Sequence, residues 1–537
     1  MADPLIQNPD DILYFLGDPG RFQILQFILL SSQFIPIAMN DLIPIFYNIR
    51  PVGLYVNTLN ETRDNYLGAQ YYNLSTACTL LGQRNFAQTD HLYVYASPRQ
   101  RSVVGDMDLV CDKGWLANLA TAIYFFGQII GSFGFGVICD RIGRRNPLLF
   151  CNVLFSALNA GLIFSADYIY YAVFLFFIGI SRQGMHSSFF ILMMEWIQPR
   201  RRGTWAAIAQ FPFSLGVLLL ALTGYLVQDW RKMQLVLTVS NFTALAYYWF
   251  APESLKWLVL QNQFPRIAVI CTRIARFNKI TLSEEILQGV QLMTIQLHET
   301  QTKHRAYTML DCIKTPYLRI FTFLTGYLWF AVFMSYFAFS FLVAGLVGNI
   351  YMNIAISGAL ELIPRALCIL LASKFSNRAI LTGHFLLTAA LALSASVVPT
   401  AGNVTLAVVQ AVLAQAARMS VVGCFPAVAV VTSELFPTVI RNSGFSWCSV
   451  LMRLGGMVAP QFIVLATITT FSGLPFVVIS VTVILGAVVA ILLPETTDMK
   501  MLSTIAEAEA FGKETFLANF KRKDVPVLTV RRKPAKN

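Results

Sequence analysis

The chain has 537 residues, of which 56% are hydrophobic and 13% are charged. Soluble domains are less apolar, and their cores stop growing beyond about 250–300 residues, so the composition excludes one large water-soluble globule. The net charge is +12, but the basic residues are spread over loops rather than gathered in one patch, which argues against nucleic-acid binding. A bilayer must therefore cover much of the surface.

Twelve runs in the sequence are long and apolar enough to cross a bilayer. A transmembrane helix needs about 20 residues with few charges, because it rises about 1.5 Å per residue across about 30 Å of hydrocarbon. The runs lie near 22–46, 115–139, 147–165, 168–190, 204–228, 233–252, 319–344, 348–372, 378–398, 404–431, 443–466 and 472–493. We therefore predict an all-α membrane protein with twelve transmembrane helices, the first of them bent at Pro36 and Pro44.

Basic residues indicate which side of the membrane the loops face. Arg141, Arg144 and Arg145 follow the second run, and three arginines at 200–202 follow the fourth. Cytoplasmic loops are enriched in Lys and Arg, so these loops are predicted to be cytoplasmic, and so are both termini because the number of runs is even. We expect a multi-pass protein of the plasma membrane, surrounded by membrane lipid.

The segment 47–114, between the first two runs, is then extracellular. It carries sequons at Asn60 and Asn73, which predict glycosylation. Its two cysteines, Cys78 and Cys111, would face an oxidising compartment, so they are a candidate disulfide, with a free Cys111 as the alternative.

Two sequence echoes indicate an internal repeat. One segment, Glu195-Trp-Ile-Gln-Pro followed by Arg202, is similar to a second segment 239 positions later. The second segment is Glu434-Leu-Phe-Pro followed by Arg441. The loop that contains Asp140, Arg141, Gly143, Arg144 and Arg145 has a degraded counterpart ending at Arg378. Such repeats predict two six-helix halves around a central cavity. The charges in these loops are predicted to form a gate that opens when the halves rock, and Gly143 permits the tight turn.

The repeat and the runs divide the chain into four parts. Residues 1–252 form the first half with its loop 47–114, 253–318 form a cytoplasmic segment between the halves, 319–498 form the second half, and 499–537 form a basic cytoplasmic tail.

Several stretches resemble a known family. GVICDRIGRR resembles the signature loop of the major facilitator superfamily. LVCDKGWLANLATAIYFFGQIIGS, MMEWIQP, PESLKWLVLQNQ, TSELFPTVIRNSG and LPETTDMKM together resemble its organic cation, anion and zwitterion transporter family. The resemblance implies the two-half major facilitator fold and a secondary carrier of small organic ions that works by alternating access. It also implies that an organic anion exchanges for an intracellular dicarboxylate, so the expected partners are the ion and a counter-substrate or coupling ion.

Ionisable residues within the runs indicate the charge of the substrate, because an intramembrane charge usually faces a cavity or a partner. Glu361 and Arg365 lie four residues apart, so they either face the substrate or neutralise each other. Arg453 has no acidic residue in its own run, so its planar fork either binds a substrate carboxylate or pairs with a residue of another helix. Cation carriers of the family have an acidic residue at this position, whereas anion and zwitterion carriers have arginine. An ungapped alignment also places Arg365 on a basic position of the anion carriers.

We therefore predict organic anions as the substrate, with a carnitine-like zwitterion or an organic cation as the alternative. Aromatic side chains are predicted to form apolar walls of the site, with packing against lipid as the alternative: Phe211, Phe213, Trp329, Tyr336, Phe337 and Phe425. The motifs HExxH, GxxxxGK[ST], paired CxxC and GxSxG do not occur, so neither an enzyme nor a cofactor or metal site is expected. A membrane sensor that binds without transport is the alternative from another class.

Overall fold

The computed structural model describes residues 9–17, 19–51, 53–57, 69–82, 93–95, 98, 101–242, 250–301, 309–371, 374–399, 403–437, 439–468, 471, 473–495, 502 and 504–520. Within these ranges the chain is almost entirely helical. The one described sheet has three short antiparallel strands in the order β2-β1-β3: β1 Gly53–Asn57, β2 Ala69–Asn73 and β3 Tyr93–Tyr95.

The first half of the chain contains helices α1 to α12. They are α1 Asp11–Phe15, α2 Arg21–Ser31, α3 Phe34–Leu42, α4 Pro44–Tyr47, α5 Leu74–Gly82, α6 Val103–Asp106, α7 Trp115–Ile142, α8 Arg145–Leu162, α9 Tyr168–Glu195, α10 Arg202–Ile208, α11 Phe211–Val227 and α12 Trp230–Phe242. Three helices follow in the central segment: α13 Leu255–Leu260, α14 Phe264–Asn278 and α15 Glu284–Gln301.

The second half contains helices α16 to α23. They are α16 Pro316–Ala344, α17 Ile350–Leu360, α18 Leu362–Leu371, α19 Asn377–Val397, α20 Val404–Leu435, α21 Arg441–Val458, α22 Gln461–Ile468 and α23 Leu474–Leu492. In the tail 499–537, helix α24 Ile505–Phe520 packs against α16.

Seven helical stretches of the described chain are long and apolar enough to cross a membrane: Arg21–Tyr47, Cys111–Gly136, Arg202–Val227, Pro316–Ala344, Asn377–Val397, Val404–Leu435 and Leu474–Leu492. The other five predicted spans fall on α8, α9, α12, α17–α18 and α21–α22. Of these, α9, α17–α18 and α21 contain buried arginines, which lower their mean hydropathy. Polar side chains that the bundle buries thus make a span harder to recognise by hydropathy alone.

The helix of the first span is interrupted near its two prolines, and the bend itself stays a prediction. A proline ring clashes with the carbonyl four residues earlier, which belongs to Ser32 for Pro36 and to Asn40 for Pro44. The helix is interrupted at 32–33 and again at residue 43, so α2, α3 and α4 follow one another as three pieces. The side chain of Asn40 donates a hydrogen bond to the carbonyl of Pro36 at 2.8 Å and so satisfies one backbone acceptor near the break.

The two halves meet along two helix pairs, α7 with α21 and α11 with α17. We call the end of the bundle that carries loop 47–114 the outer end, and the end that carries α13 to α15 the inner end. At the outer end, the rings of Phe46 and Tyr351 stack across the halves with centroids 5.6 Å apart. Nearer the inner end, the Oγ atoms of Ser132 on α7 and Ser449 on α21 lie 3.3 Å apart.

Candidate functional site

A buried ion pair lies inside the first half, beside the break between α3 and α4. Asp41 on α3 and Arg182 on α9 form a salt bridge, and both side chains are buried. The other carboxylate oxygen of Asp41 accepts a hydrogen bond from the Tyr124 hydroxyl on α7 at 2.6 Å. Burying a charge without a partner is costly, so the pairing explains how both residues are accommodated in the bundle.

Glu361 has four hydrogen-bond donors at the break between α17 and α18. Arg365 and Ser214 donate to its Oε2 atom at 2.9 and 3.2 Å. Arg418 and Tyr336 donate to its Oε1 atom at 2.6 and 2.8 Å. The carboxylate is fully buried and saturated with donors, so Glu361 and Arg365 do pair, but as members of a larger network.

Arg365 also joins the two halves. Its Nη1 atom donates to the carbonyl of Gln210 at 2.8 Å, between α10 and α11 of the first half. Its guanidinium carbon lies 5.6 Å from the ring centroid of Phe213. Arg365 is therefore engaged by Glu361 and Gln210 in this conformation.

Arg453 on α21 is buried differently. Its side chain is only 1% exposed, and its guanidinium carbon lies 4.9 Å from the ring centroid of Phe333 on α16. Among the residues that the structure describes, its Nε and Nη1 atoms have no hydrogen-bond partner. A cation over an aromatic face is stabilised, but the two N–H groups remain unsatisfied.

The predicted aromatic residues gather beside these arginines. The ring of Tyr336 lies 5.6 Å from that of Phe425 and 6.2 Å from that of Phe213, and Trp329 lies 6.5 Å from Phe425. Phe337 contacts Phe333 at 4.8 Å. Tyr336 and Phe337 are buried, while the other predicted rings of this group are half-buried, so most of the predicted wall is one connected cluster.

The predicted gate loop turns at Gly143, whose φ is +102°. A Cβ at this position would lie 2.3 Å from a carboxylate oxygen of Glu253. That carboxylate accepts hydrogen bonds from the backbone N–H groups of Arg144 at 2.9 Å and Arg145 at 3.2 Å, at the start of α8. Glycine is therefore required twice, by the left-handed backbone and by the close approach of the carboxylate.

Other gate residues form a network at the inner end of the first half. The Nε atom of Arg144 lies 3.5 Å from a carboxylate oxygen of Glu195. Burial raises the pKa of the Glu195 carboxyl, which lies beyond the predicted span 168–190, and the charge of Arg144 opposes that rise. Arg202 donates to Asp10 at 2.7 Å, and Lys256 donates to the same carboxylate at 2.9 Å.

The remaining gate residues lie near the ends of helices. Arg441 donates from Nε to the carbonyl of Phe436 at 3.3 Å. Glu434 is half-buried near the end of α20, and Arg141 is exposed at the end of α7. The side chain of Asp140 lies outside the described part of the chain. The gate itself stays a prediction.

In the outer loop, the structure joins Cys78 to Cys111 in a disulfide, with Cα atoms 5.3 Å apart. Asn73 ends β2 and is exposed, and its Oδ1 atom accepts a hydrogen bond from the N–H of Thr76 at 2.9 Å. Asn60 lies outside the described residues. Glycosylation of both sequons stays a prediction.

Residues 113–460 match the family model of the Major Facilitator Superfamily. The chain belongs to this superfamily. The predicted superfamily and fold are thereby confirmed, and the chain is a transporter rather than an enzyme.

Transporters named for different substrates are similar to the chain over nearly its whole length. The organic cation transporter-like protein of Drosophila melanogaster is 29% identical, covering 94% of this chain and 93% of the relative. Organic anion transporter 3 of Oryctolagus cuniculus is 29% identical, covering 96% and 95%. Organic cation/carnitine transporter 2 of Rattus norvegicus is 28% identical, covering 93% and 94%.

Among solved structures, the chain is similar to the proton:xylose symporter XylE bound to 6-bromo-6-deoxy-D-glucose. The TM-score is 0.60 and the identity is 16%, with 91% of this chain and 99% of XylE covered. The chain is therefore similar over nearly its whole length to transporters named for organic cations, organic anions and carnitine, and the likeness to XylE concerns the fold alone.

Two acidic residues of these networks, Asp41 and Glu253, were not predicted from the sequence. Asp41 is an acidic residue inside an apolar run, which is a signal that the search for intramembrane charges could have used. Glu253 follows Pro252, and the pair is repeated 242 positions later as Pro494 and Glu495. That third echo could have identified Glu253 as part of the loop network at the inner end.

Proposed function

We propose that the chain transports small organic anions by alternating access, and that Arg453 binds the carboxylate of the substrate. The supporting observation is that Arg453 is buried beside the contact between the halves, with Nε and Nη1 unpartnered among the described residues. A carboxylate can accept two parallel hydrogen bonds from a guanidinium, and such charged contacts contribute about 1.5–3 kcal/mol.

The balance of buried charge also favours an anion. Between the two ends of the bundle, the described helices bury two carboxylates and four guanidinium groups: Asp41, Glu361, Arg182, Arg365, Arg418 and Arg453. An excess of positive charge in a low-dielectric bundle is relieved by binding an anion. A cation or zwitterion would need a carboxylate for its positive group, but both buried carboxylates are already neutralised by arginines.

The aromatic cluster supports an apolar organic substrate. Tyr336, Phe337, Phe425, Phe213 and Trp329 lie within one connected group of rings beside the arginines. Ligand sites typically combine such apolar walls with a few polar groups that fix orientation. We infer that these rings contact the carbon skeleton of the anion.

The test of Arg453 uses purified protein in vesicles and three probes with one aromatic skeleton, bearing a carboxylate, a quaternary ammonium or both. Arg453→Lys keeps the charge but loses the planar fork, so the apparent KM for the carboxylate probe should rise about tenfold. Arg453→Asp should abolish uptake of that probe. Uptake is normalised to the amount of folded protein.

Arg418→Lys is the matched control, because Arg418 is equally buried but bonded to Glu361 and Tyr336. It should reduce the amount of folded protein without changing the preference among the three probes. Normal uptake of the carboxylate probe by Arg453→Asp would sink the anion assignment. Binding of the probe by wild-type protein without any flux would instead identify a sensor.

The energy source and the placement in the cell are further proposals. We infer exchange against a dicarboxylate from the family resemblance, and vesicles preloaded with succinate should then take up the carboxylate probe faster than empty vesicles do. We also infer a plasma-membrane protein with cytoplasmic termini from the basic loops at the inner end. A glycosidase that leaves the mobility of the cell-surface protein unchanged would contradict the exterior placement of loop 47–114.

A further inference from the structure

Helices α7 and α21 run antiparallel along the contact between the halves. A Cβ on Gly136 would lie 3.7 Å from the Oγ atom of Ser446, and a Cβ on Gly456 would lie 2.8 Å from the ring of Phe125. Between these two contacts, Ser132 faces Ser449 at 3.3 Å. From one contact to the next, the residue number falls by four and then seven on α7, and rises by three and then seven on α21. Residues with these spacings lie on one face of a helix, so the three contacts belong to one face of α7 and one face of α21.

This register places Gln128 opposite Arg453. Gln128 lies four residues before Ser132 on α7, and Arg453 lies four residues after Ser449 on α21. Both positions therefore fall one turn beyond the serine contact, in the same direction along the antiparallel pair. Gln128 belongs to the first half and Arg453 to the second.

Both side chains are buried with polar atoms that lack partners. Gln128 is 0% exposed, and neither its Oε1 nor its Nε2 atom has a hydrogen-bond partner in the described part of the chain. The Nε and Nη1 atoms of Arg453 also lack a hydrogen-bond partner among the described residues. A buried polar group without a partner costs about 1–3 kcal/mol. Two such groups facing each other across one interface indicate a site built for a polar ligand.

We propose that Gln128 and Arg453 together bind a carboxylate that has a hydrogen-bond donor on the adjacent atom, such as a 2-hydroxy acid. Arg453 supplies two parallel donors to the carboxylate, and Nε2 of Gln128 supplies a third. Oε1 of Gln128 can only accept, so an O–H or N–H group of the substrate would be a suitable partner. A plain carboxylate leaves that acceptor unsatisfied.

The positions of Gln128 and Arg453 in different halves also explain how a bound substrate can hold the two halves together. A ligand held by Gln128 and Arg453 contacts both halves at once, so its binding energy opposes their separation along α7 and α21. This inference rests on the proposed binding of carboxylates by Arg453, which the charge variants of Arg453 test separately.

The experiment compares uptake of 2-hydroxy-2-phenylacetate and phenylacetate, which differ only in the hydroxyl group, by the full-length protein in vesicles. The wild-type protein should have a lower KM for the hydroxy acid, by about threefold to tenfold, because one neutral hydrogen bond is gained. Gln128→Leu should raise the KM for the hydroxy acid and bring the ratio of the two KM values close to one. Gln128→Met serves as a second variant if the first does not fold.

Asn241→Leu is the matched control. Asn241 is also buried with both amide atoms unpartnered among described residues, but it lies on α12, which packs against α3, α8 and α11. This variant should keep the wild-type ratio of KM values. An unchanged ratio in a folded Gln128 variant overturns the inference while leaving anion transport intact. Normal uptake of the carboxylate probe by Arg453→Asp would instead contradict the proposed function.

Discussion

At the scale of single residues, Glu253 connects three backbone donors at the inner end. Its carboxylate accepts the N–H groups of Arg144, Arg145 and Ser254, at 2.9, 3.2 and 2.9 Å. The first N–H groups of a helix have no partner within it, and a negative charge there also interacts favourably with the helix dipole. Glu253 thus fixes the start of α8 relative to the end of the first half.

Replacing Glu253 by alanine should lower the free energy of unfolding by about 1–2 kcal/mol, because α8 loses the acceptor at its first turn. The melting temperature of the purified protein in detergent measures this change. Glu284→Ala is the control, since Glu284 is exposed in the first turn of α15. Equal melting temperatures for the two variants would argue against a structural role for Glu253.

The sequence could identify Arg453 as a candidate binding residue because an arginine without an acidic neighbour is unusual in an apolar run. It could not predict that Gln128 faces Arg453, because the two are far apart in the chain and the pairing depends on the register of α7 and α21. Gln128 is also uncharged, so it is not found by looking for charged residues in apolar runs. The saturation of Glu361 was equally hidden, since its donors Ser214 and Arg418 come from other helices.

At the scale of helices, breaks coincide with polar side chains of the site. Asp41 lies beside the break between α3 and α4, Glu361 lies between α17 and α18, and Gln210 lies between α10 and α11. A break exposes backbone groups that side chains or neighbouring helices must satisfy. The prolines Pro36 and Pro44 made the first break predictable, and Pro364 and Pro212 stand beside the other two.

The C-terminal helix α24 is attached to α16 by an unusual cap. Thr315 precedes α16 but makes no capping hydrogen bond with its side chain. Instead, the carboxylate of Glu509 on α24 accepts the N–H groups of Leu318 at 2.9 Å and Tyr317 at 3.4 Å. The weakly amphipathic sequence of α24 does not indicate a helix by itself, because α24 gains its stability from docking rather than from its own propensity.

Glu509→Ala should release α24 from α16, because the helix loses the charged group that holds it to the backbone of α16. Limited digestion with trypsin measures the release, since Lys513 lies within α24 and should be cleaved faster in the variant. Glu514→Ala is the control, because Glu514 is exposed on the same helix. If both variants are cleaved at the wild-type rate, Glu509 does not hold the helix in place.

At the scale of the whole molecule, the two halves touch on both sides of the proposed site. Phe46 and Tyr351 stack at the outer end. Ser132 and Ser449 are in contact between Arg453 and the inner end. A substrate can therefore reach Arg453 only when one of these contacts opens. The proposed alternating access predicts that this opening is a rigid movement of one half against the other.

A covalent link between the halves should therefore stop transport. The Oγ atoms of Ser132 and Ser449 are close enough for Ser132→Cys combined with Ser449→Cys to form a disulfide after a small adjustment. The cross-linked protein should lose uptake of the carboxylate probe and regain it after reduction, whereas each single variant should keep uptake in oxidant.

Ser188→Cys is the matched control, because Ser188 lies 3.1 Å from the Sγ atom of Cys139 and both belong to the first half. A link between α7 and α9 leaves the halves free to move, so this variant should transport in both redox states. Full transport by the doubly substituted, fully cross-linked protein would show that the contact between α7 and α21 need not open, and would contradict rocking of the halves as the transport movement.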